Sequence, residues 1–100
     1  MRERVITASG LTESGVLRTC MRLRRSLEAW LSCMEEKDLQ LLGPAPASVA
    51  KINNRYRYRL TLACRNHREI RALVAHLLRC AQNDKENRGV SVSADINPLD

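Results

Sequence analysis

Phenylalanine is absent from this 100-residue chain, and aromatic side chains make up only 3% of it. The hydrophobic core must therefore be aliphatic, built from leucine, valine, isoleucine and alanine. A chain of this length suffices for one domain with a single modest core. No internal repeat or low-complexity segment divides the sequence, so we expect a single domain over residues 1–100.

Long apolar runs are also missing. No run approaches the roughly 18 residues that a membrane-spanning helix needs. The chain starts with Met1-Arg2-Glu3-Arg4, a charged segment without the apolar region of a signal peptide. We therefore expect a cytoplasmic protein that has no membrane partner.

The motifs that bind nucleotide phosphates are absent. The sequence contains neither Gly-x-x-x-x-Gly-Lys-Ser/Thr nor Gly-x-Gly-x-x-Gly, and an ATP-driven motor needs the first of these. His67 and His76 have no evident partner nucleophile, and Asp95 and Asp100 do not form a recognisable metal site. We expect no catalytic residue, no bound cofactor and no ATPase activity in this chain.

The cysteines lack the spacing of a metal site. Cys20, Cys33, Cys64 and Cys80 include no Cys-x-x-Cys pair and have no histidine at ligand spacing. Three of the four lie in apolar or amphipathic segments. These features favour free thiols in a reducing compartment over zinc ligands or disulfides.

Positive charge is concentrated in the second half of the chain. Residues 1–50 hold 7 basic and 6 acidic side chains, a net charge of +1. Residues 51–100 hold 10 basic and 5 acidic side chains, a net charge of +5. This asymmetry indicates a polyanionic partner for the second half.

The run KINNRYRYR, residues 51–59, is the most basic stretch. Its period of two predicts a strand with arginines on one face and tyrosines on the other. Arginine forks match phosphate oxygens, and tyrosine rings can stack on bases. The predicted nucleic-acid-binding residues are Lys51, Arg55, Tyr56, Arg57, Tyr58 and Arg59. The alternative is an ordinary strand with a solvated face.

Hydrophobic periodicity predicts the element order β-α-β-β-α-β. The predicted strands cover residues 5–9, 39–42 with a resumption near 49–52, 55–64 and 90–96. Asn53-Asn54 suits a hairpin turn, and Pro44 and Pro46 belong at a sheet edge or in a loop. A polar loop is expected over residues 83–89.

Each predicted helix carries one apolar stripe. The first follows Thr12 as its cap, and the second opens with a capping box from Asn66 to Glu69. The stripes comprise Val16, Leu17, Cys20, Leu23, Leu27, Trp30, Leu31 and Met34, and then Ile70, Leu73, Val74, Leu77 and Leu78. Two helices packed on one face of an antiparallel sheet form the ferredoxin-like α+β fold. Trp30 is expected in the core.

Three short motifs occur in a specific order: Gly43-Pro44-Ala45-Pro46-Ala47, Arg55-Tyr56-Arg57, and Asp95-Ile96-Asn97-Pro98. Together they resemble the C-terminal domain of the primosomal replication-restart helicase PriA (primosomal protein N′). The resemblance covers nearly the whole chain. It implies a ferredoxin-like fold, which agrees with the fold predicted from periodicity.

The resemblance also implies a function. The chain would be a non-catalytic domain excised from a larger helicase, and the parent would use ATP, magnesium and zinc. The domain would help bind forked or single-stranded DNA and would contact the parent's helicase domains and other primosome proteins. It would also dock the acidic tail of single-stranded-DNA-binding protein, through positions matching His67 and Arg71. His67 stands where the family usually has arginine.

Two other functions fit a ferredoxin-like fold. A free-standing RNA-binding domain would stack bases on aromatic residues of its two central strands, but the first strand contains none. An acylphosphatase-like hydrolase would need an arginine in a phosphate-binding loop after the first strand. The segment Ser9-Gly10-Leu11-Thr12 has no arginine, which makes this the least favoured alternative.

Overall fold

The computed structural model describes residues 2–33, 40–64 and 68–97. Within these ranges the elements follow the predicted order. They are β1 (Arg2–Gly10), α1 (Glu13–Leu31), β2 (Gln40–Ile52), β3 (Arg55–Cys64), α2 (Arg68–Asn83), a 3-10 turn (Lys85–Asn87) and β4 (Val90–Asn97). No described helix is both long enough and apolar enough to cross a membrane.

The four strands form one sheet in the order β2-β3-β1-β4, and every neighbouring pair is antiparallel. Strands β1 and β3 occupy the centre, and each helix connects a central strand to an edge strand. This is the ferredoxin-like arrangement, so the predicted fold class is confirmed.

Alternate strand residues build the core with the two helices. The residues facing the helices include Ile6 and Ala8 on β1, Leu60 and Leu62 on β3, and Val92 on β4, and all of them are buried. They join buried side chains of α1 and α2 in one aliphatic cluster. Because side chains alternate along a strand, the remaining positions face away from the helices. We call that side of the sheet the open face.

Helix α1 begins as predicted. Thr12 has extended backbone, and its Oγ1 accepts a hydrogen bond of 3.3 Å from the Gly15 amide. Glu13 lies in the first turn, where a negative charge favours the helix dipole. Val16, Cys20, Leu23, Leu27 and Leu31 of the stripe pack in the core, whereas Leu17 is half-buried outside the core cluster. Trp30 is 53% exposed, so its predicted core position is wrong. Trp30 lies in the last turn, where the described parts of the sheet and of α2 do not cover it.

Helix α2 buries the predicted stripe. Ile70, Leu73, Val74 and Leu77 are buried, and Leu78 is half-buried against the same cluster. The predicted capping box starts at Asn66, which lies outside the described residues, as does Met34 of the first stripe.

Strand β2 differs from the prediction. It is continuous over Gln40–Ile52 rather than broken, and it accommodates its irregular residues through two register shifts against β3. Gly43 has a φ of +103°, and a Cβ there would lie 2.6 Å from the carbonyl oxygen of Arg59. Only glycine fits this bulge. Pro44 and Pro46 lie on an edge strand, as predicted, because β2 ends the sheet.

Two turns complete the path of the chain. Asn53 and Asn54 have φ values of 51° and 62°, which suit the tight hairpin predicted there. The predicted polar loop over residues 83–89 instead contains the 3-10 turn Lys85–Asn87. Asn87 is buried, because its side chain bonds to both helices.

Candidate nucleic-acid interface

The open face carries the predicted arginine row. Arg55, Arg57 and Arg59 occupy alternate positions of β3, and Leu60 and Leu62 point to the opposite side. All three arginines are half-buried. Residues two apart on a strand are about 7 Å apart. The chain therefore presents three cations in a line along one central strand.

Hydroxyl side chains of the neighbouring strands extend the arginine row across the sheet. Two rows run over β3, β1 and β4: Arg59, Thr7 and Ser93, and then Arg57, Ser9 and Ser91. Adjacent strands lie about 4.8 Å apart, so neighbours within a row are close together. A hydroxyl can donate a hydrogen bond to a phosphate oxygen, as a guanidinium can. Each row thus offers one guanidinium and two hydroxyls.

The hydroxyls of β1 were not predicted as site residues. The sequence does contain a signal for them, because Thr7 and Ser9 occupy every second position of the predicted first strand. Ser91 and Ser93 were predicted to face outward, and both are exposed. Only the strand order shows that these hydroxyls flank the arginines rather than lying elsewhere on the sheet.

The arginines differ in how they are held. Arg55 donates a hydrogen bond of 3.2 Å from Nη2 to the carbonyl oxygen of Ser9, which ties its side chain to β1. The Arg59 side chain makes no hydrogen bond or ion pair with another residue in the described part of the chain. Its guanidinium retains its donors for an external ligand.

The tyrosines lie on the helix side of the sheet. Tyr56 and Tyr58 pack against the aliphatic cluster. The Tyr58 hydroxyl donates a hydrogen bond of 3.0 Å to Glu13 Oε2, and this bond raises the pKa of Tyr58 because it stabilises the neutral phenol. A strand lying on the arginine row would not reach these rings, so their role in base stacking stays a prediction.

The other predicted site residues are Lys51, His67 and Arg71. Lys51 is in register with Tyr56, and its side chain lies outside the described part. Arg71 is exposed on α2, on the helix side of the sheet. His67 is not among the described residues. The arginine row and Arg71 therefore lie on opposite sides of the sheet.

A hollow of about 330 Å³ indents the open face beside Arg59. We call it the Arg59 hollow, and its lining residues are Val5, Leu42, Gly43, Ala45, Pro46, Arg59 and Thr61. Its outer wall is the bulged part of β2. Five of the seven lining residues are aliphatic, glycine or proline, whereas Arg59 and Thr61 add a guanidinium and a hydroxyl, so the lining combines apolar and polar surface.

The described side chains include three cysteines and one histidine. Cys20, Cys33 and Cys80 are free thiols, and burial raises the pKa of Cys20 to about 11. His76 Nε2 lies 3.6 Å from Cys80 Sγ on the exposed side of α2. Among the described side chains, no three histidine, cysteine or acidic residues are grouped to hold a metal ion.

The chain is similar to known proteins. Residues 3–99 match the family of primosomal protein N C-terminal domains. Over 61 residues, 61% of the chain, it is 31% identical to the replication restart protein PriA of Bacillus subtilis (strain 168), and it covers 8% of that protein. An ACT domain protein from Streptococcus pneumoniae superimposes with a TM-score of 0.48 at 10% identity, covering 98% of this chain and 92% of the other.

Proposed function

The chain belongs to the family of primosomal protein N C-terminal domains, and we propose that it is the non-catalytic C-terminal domain of a PriA-like replication-restart helicase. The Bacillus subtilis relative carries replication restart in its name. In the parent, ATP, magnesium and zinc would be held by other domains. This domain would contact those helicase domains and other primosome proteins.

We further propose that the open face binds the phosphate backbone of DNA at a fork. The observation that carries this proposal is the pair of rows in which an arginine lies beside two hydroxyls, on the sheet face opposite the two described helices. The net charge of +6 favours a polyanion. Guanidinium and hydroxyl donors bind phosphates without reading the bases.

The arginine spacing favours an extended single strand. Successive arginines of β3 are about 7 Å apart, which is close to the distance between successive phosphates of an extended strand. A backbone could therefore follow the row and place one phosphate near each guanidinium. Affinity would be electrostatic and would fall as salt concentration rises.

A salt series with forked and single-stranded DNA tests this proposal. Replacing both Arg57 and Arg59 with alanine should weaken binding similarly for unrelated sequences. The slope of log affinity against log salt should become shallower by about one unit for each phosphate that is no longer bound. The matched control replaces Arg18 and Arg25, which are exposed on α1. Fluorescence anisotropy measures affinity, and thermal melting checks that both variants fold.

Two results would count against the open face. If the control variant loses as much affinity as the β3 variant, binding depends on net charge rather than on this surface. If the β3 variant binds DNA normally but melts earlier, the arginines belong to an internal interface. In that case α2 becomes the better candidate surface.

We also propose that His67 and Arg71 receive the acidic C-terminal tail of single-stranded-DNA-binding protein. The support from the structure is that Arg71 is exposed near the start of α2, away from the open face. Arg71→Ala should weaken binding of an acidic tail peptide but not of DNA. Arg79→Ala is the control, because Arg79 is exposed on the same helix. Equal losses in both variants would contradict a defined tail site.

A further inference from the structure

The Arg59 hollow offers contacts that phosphate binding does not use. Leu42 is 56% exposed at its edge, although leucine is a large aliphatic side chain. Val5 and Pro46 add further apolar surface. Phosphates gain nothing from aliphatic walls, so the hollow suits a different part of a ligand that also carries phosphate.

The outer wall of the hollow is held in place before any ligand binds. Gly43 lies at the bulge with its φ of +103°, and its carbonyl oxygen accepts a hydrogen bond from Arg24 Nη1 of helix α1. Arg24 is itself fixed by Glu28, with 2.6 Å between Nε and Oε1. A preformed wall reduces the ordering cost of binding.

We infer that the Arg59 hollow binds one unpaired nucleobase of the strand whose phosphates contact Arg57 and Arg59. This inference rests on the proposed DNA-binding function. A base has apolar faces that can lie against Leu42 and Pro46, and a polar edge that can reach the Thr61 hydroxyl. The Arg59 guanidinium can stack on the base or bond its phosphate.

The volume and position of the hollow favour a base over a larger ligand. Its 330 Å³ lies near the lower end of small-molecule sites, which span about 300–1,000 Å³. Arg59 lines the hollow and also ends the arginine row, so base and phosphate contacts are adjacent. A base inside a duplex is stacked and paired and cannot enter. The hollow should therefore favour single strands and junctions over duplexes without selecting a sequence.

Two oligonucleotides of equal length test the inference: one of thymidines and one with abasic residues. Both carry the same phosphate charges, so only the bases differ. The chain should bind the thymidine strand about tenfold more tightly, the scale of one stacked base. A 2-aminopurine in the strand should also change its fluorescence on binding, because the base leaves its stacked neighbours.

Leu42→Ala should lower the affinity for the thymidine strand to nearly that for the abasic strand, and the affinity for the abasic strand should not change. The side chain is more than half exposed, so the variant should fold normally. Leu11→Ala is the matched control, since Leu11 is 66% exposed and does not line the hollow. It should retain the preference for bases.

The outcomes distinguish failure of the base site from failure of the proposed DNA-binding function. Equal affinity for both strands, or a base preference unchanged in Leu42→Ala, would overturn the base site and leave phosphate binding intact. If neither strand binds at low salt, the proposed function fails as well. A competition experiment can use an acidic peptide that has an apolar end. If this peptide displaces the thymidine strand from the parent chain but not from Leu42→Ala, the hollow is a peptide site rather than a base site.

Discussion

Thr19 and Asn87 are 68 positions apart in the chain, yet Thr19 Oγ1 lies 3.1 Å from Asn87 Oδ1 in a buried hydrogen bond. The same Oδ1 also accepts a hydrogen bond from Arg22, and Asn87 Nδ2 donates to the carbonyl oxygen of Ala81 at 3.1 Å. One asparagine thereby joins α1, the end of α2 and the turn before β4. Since β4 supplies Ser91 and Ser93, this link positions one side of the open face.

Asn87→Ala should destabilise the fold by about 1–3 kcal/mol, because it removes the side-chain hydrogen bonds that join Thr19, Arg22 and Ala81 through one buried asparagine. Urea denaturation followed by circular dichroism measures the loss. Asn83→Ala is the control, since Asn83 is exposed at the end of α2. If both variants unfold at the same urea concentration, the buried link contributes nothing measurable.

Leu27 and Trp30 should respond very differently to truncation. Leu27 is fully buried, so Leu27→Ala should cost about 2–5 kcal/mol through lost transfer energy and a cavity. Trp30→Ala should cost less than about 1 kcal/mol, as exposed positions usually do. Denaturation of the two variants measures both values. Acrylamide should also quench Trp30, the single tryptophan, in the native protein. A protected tryptophan would show that another part of the chain covers it.

Alanine substitutions at two glycines should separate backbone strain from crowding. Gly43 and Gly89 both have positive φ, at +103° and +83°. A Cβ at Gly89 meets nothing within 4 Å, so Gly89→Ala should cost only about 1–2 kcal/mol of backbone strain. Gly43→Ala adds a clash with the Arg59 carbonyl, which should cost about 1–3 kcal/mol more. Equal losses in urea denaturation would show that β2 relaxes around the new methyl group.

The stability of the fold should fall in alkaline solution. Burial raises the pKa of Cys20 from 9.0 to about 11, so the folded state holds its proton more tightly than the unfolded chain does. The contribution is complete below pH 9.0 and is lost as pH rises towards about 11, by up to about 3 kcal/mol. Urea denaturation across this range should show a smaller decline for Cys20→Ala.

Both proteins compared in this pH series should also carry Tyr58→Phe. The pKa of Tyr58 is also raised by its bond to Glu13, so this phenol would add a decline of the same sign. If the stability of the Cys20→Ala protein falls as steeply as that of the protein with Cys20 between pH 9.0 and about 11, the Cys20 thiol is not the titrating group.

Local periodicity was sufficient to predict much of the fold. The alternation of β3 placed Leu60 and Leu62 towards the helices and the arginines on the other side, and the structure agrees. The turn at Asn53 and Asn54 followed from the tolerance of asparagine for positive φ. These features depend on neighbours within a few residues.

Features that depend on distant contacts were not predictable. The exposure of Trp30 depends on how far the sheet and α2 extend beneath α1, which helical spacing does not reveal. The burial of Asn87 depends on Thr19, far away in the chain. The Arg59 hollow exists because β2 shifts its register against β3 and then continues. Gly43 indicates irregular backbone at this point, but the sequence pattern does not show that the strand continues beyond it.

The alternation of β3 has an evolutionary consequence. Substitutions at Arg55, Arg57 or Arg59 change the charge of one face while the core contacts of Leu60 and Leu62 persist. Loss or gain of a single residue inside Arg55–Cys64 would instead rotate every later side chain to the other face, sending charge into the core. This segment should therefore diversify by point substitution but tolerate almost no insertions or deletions.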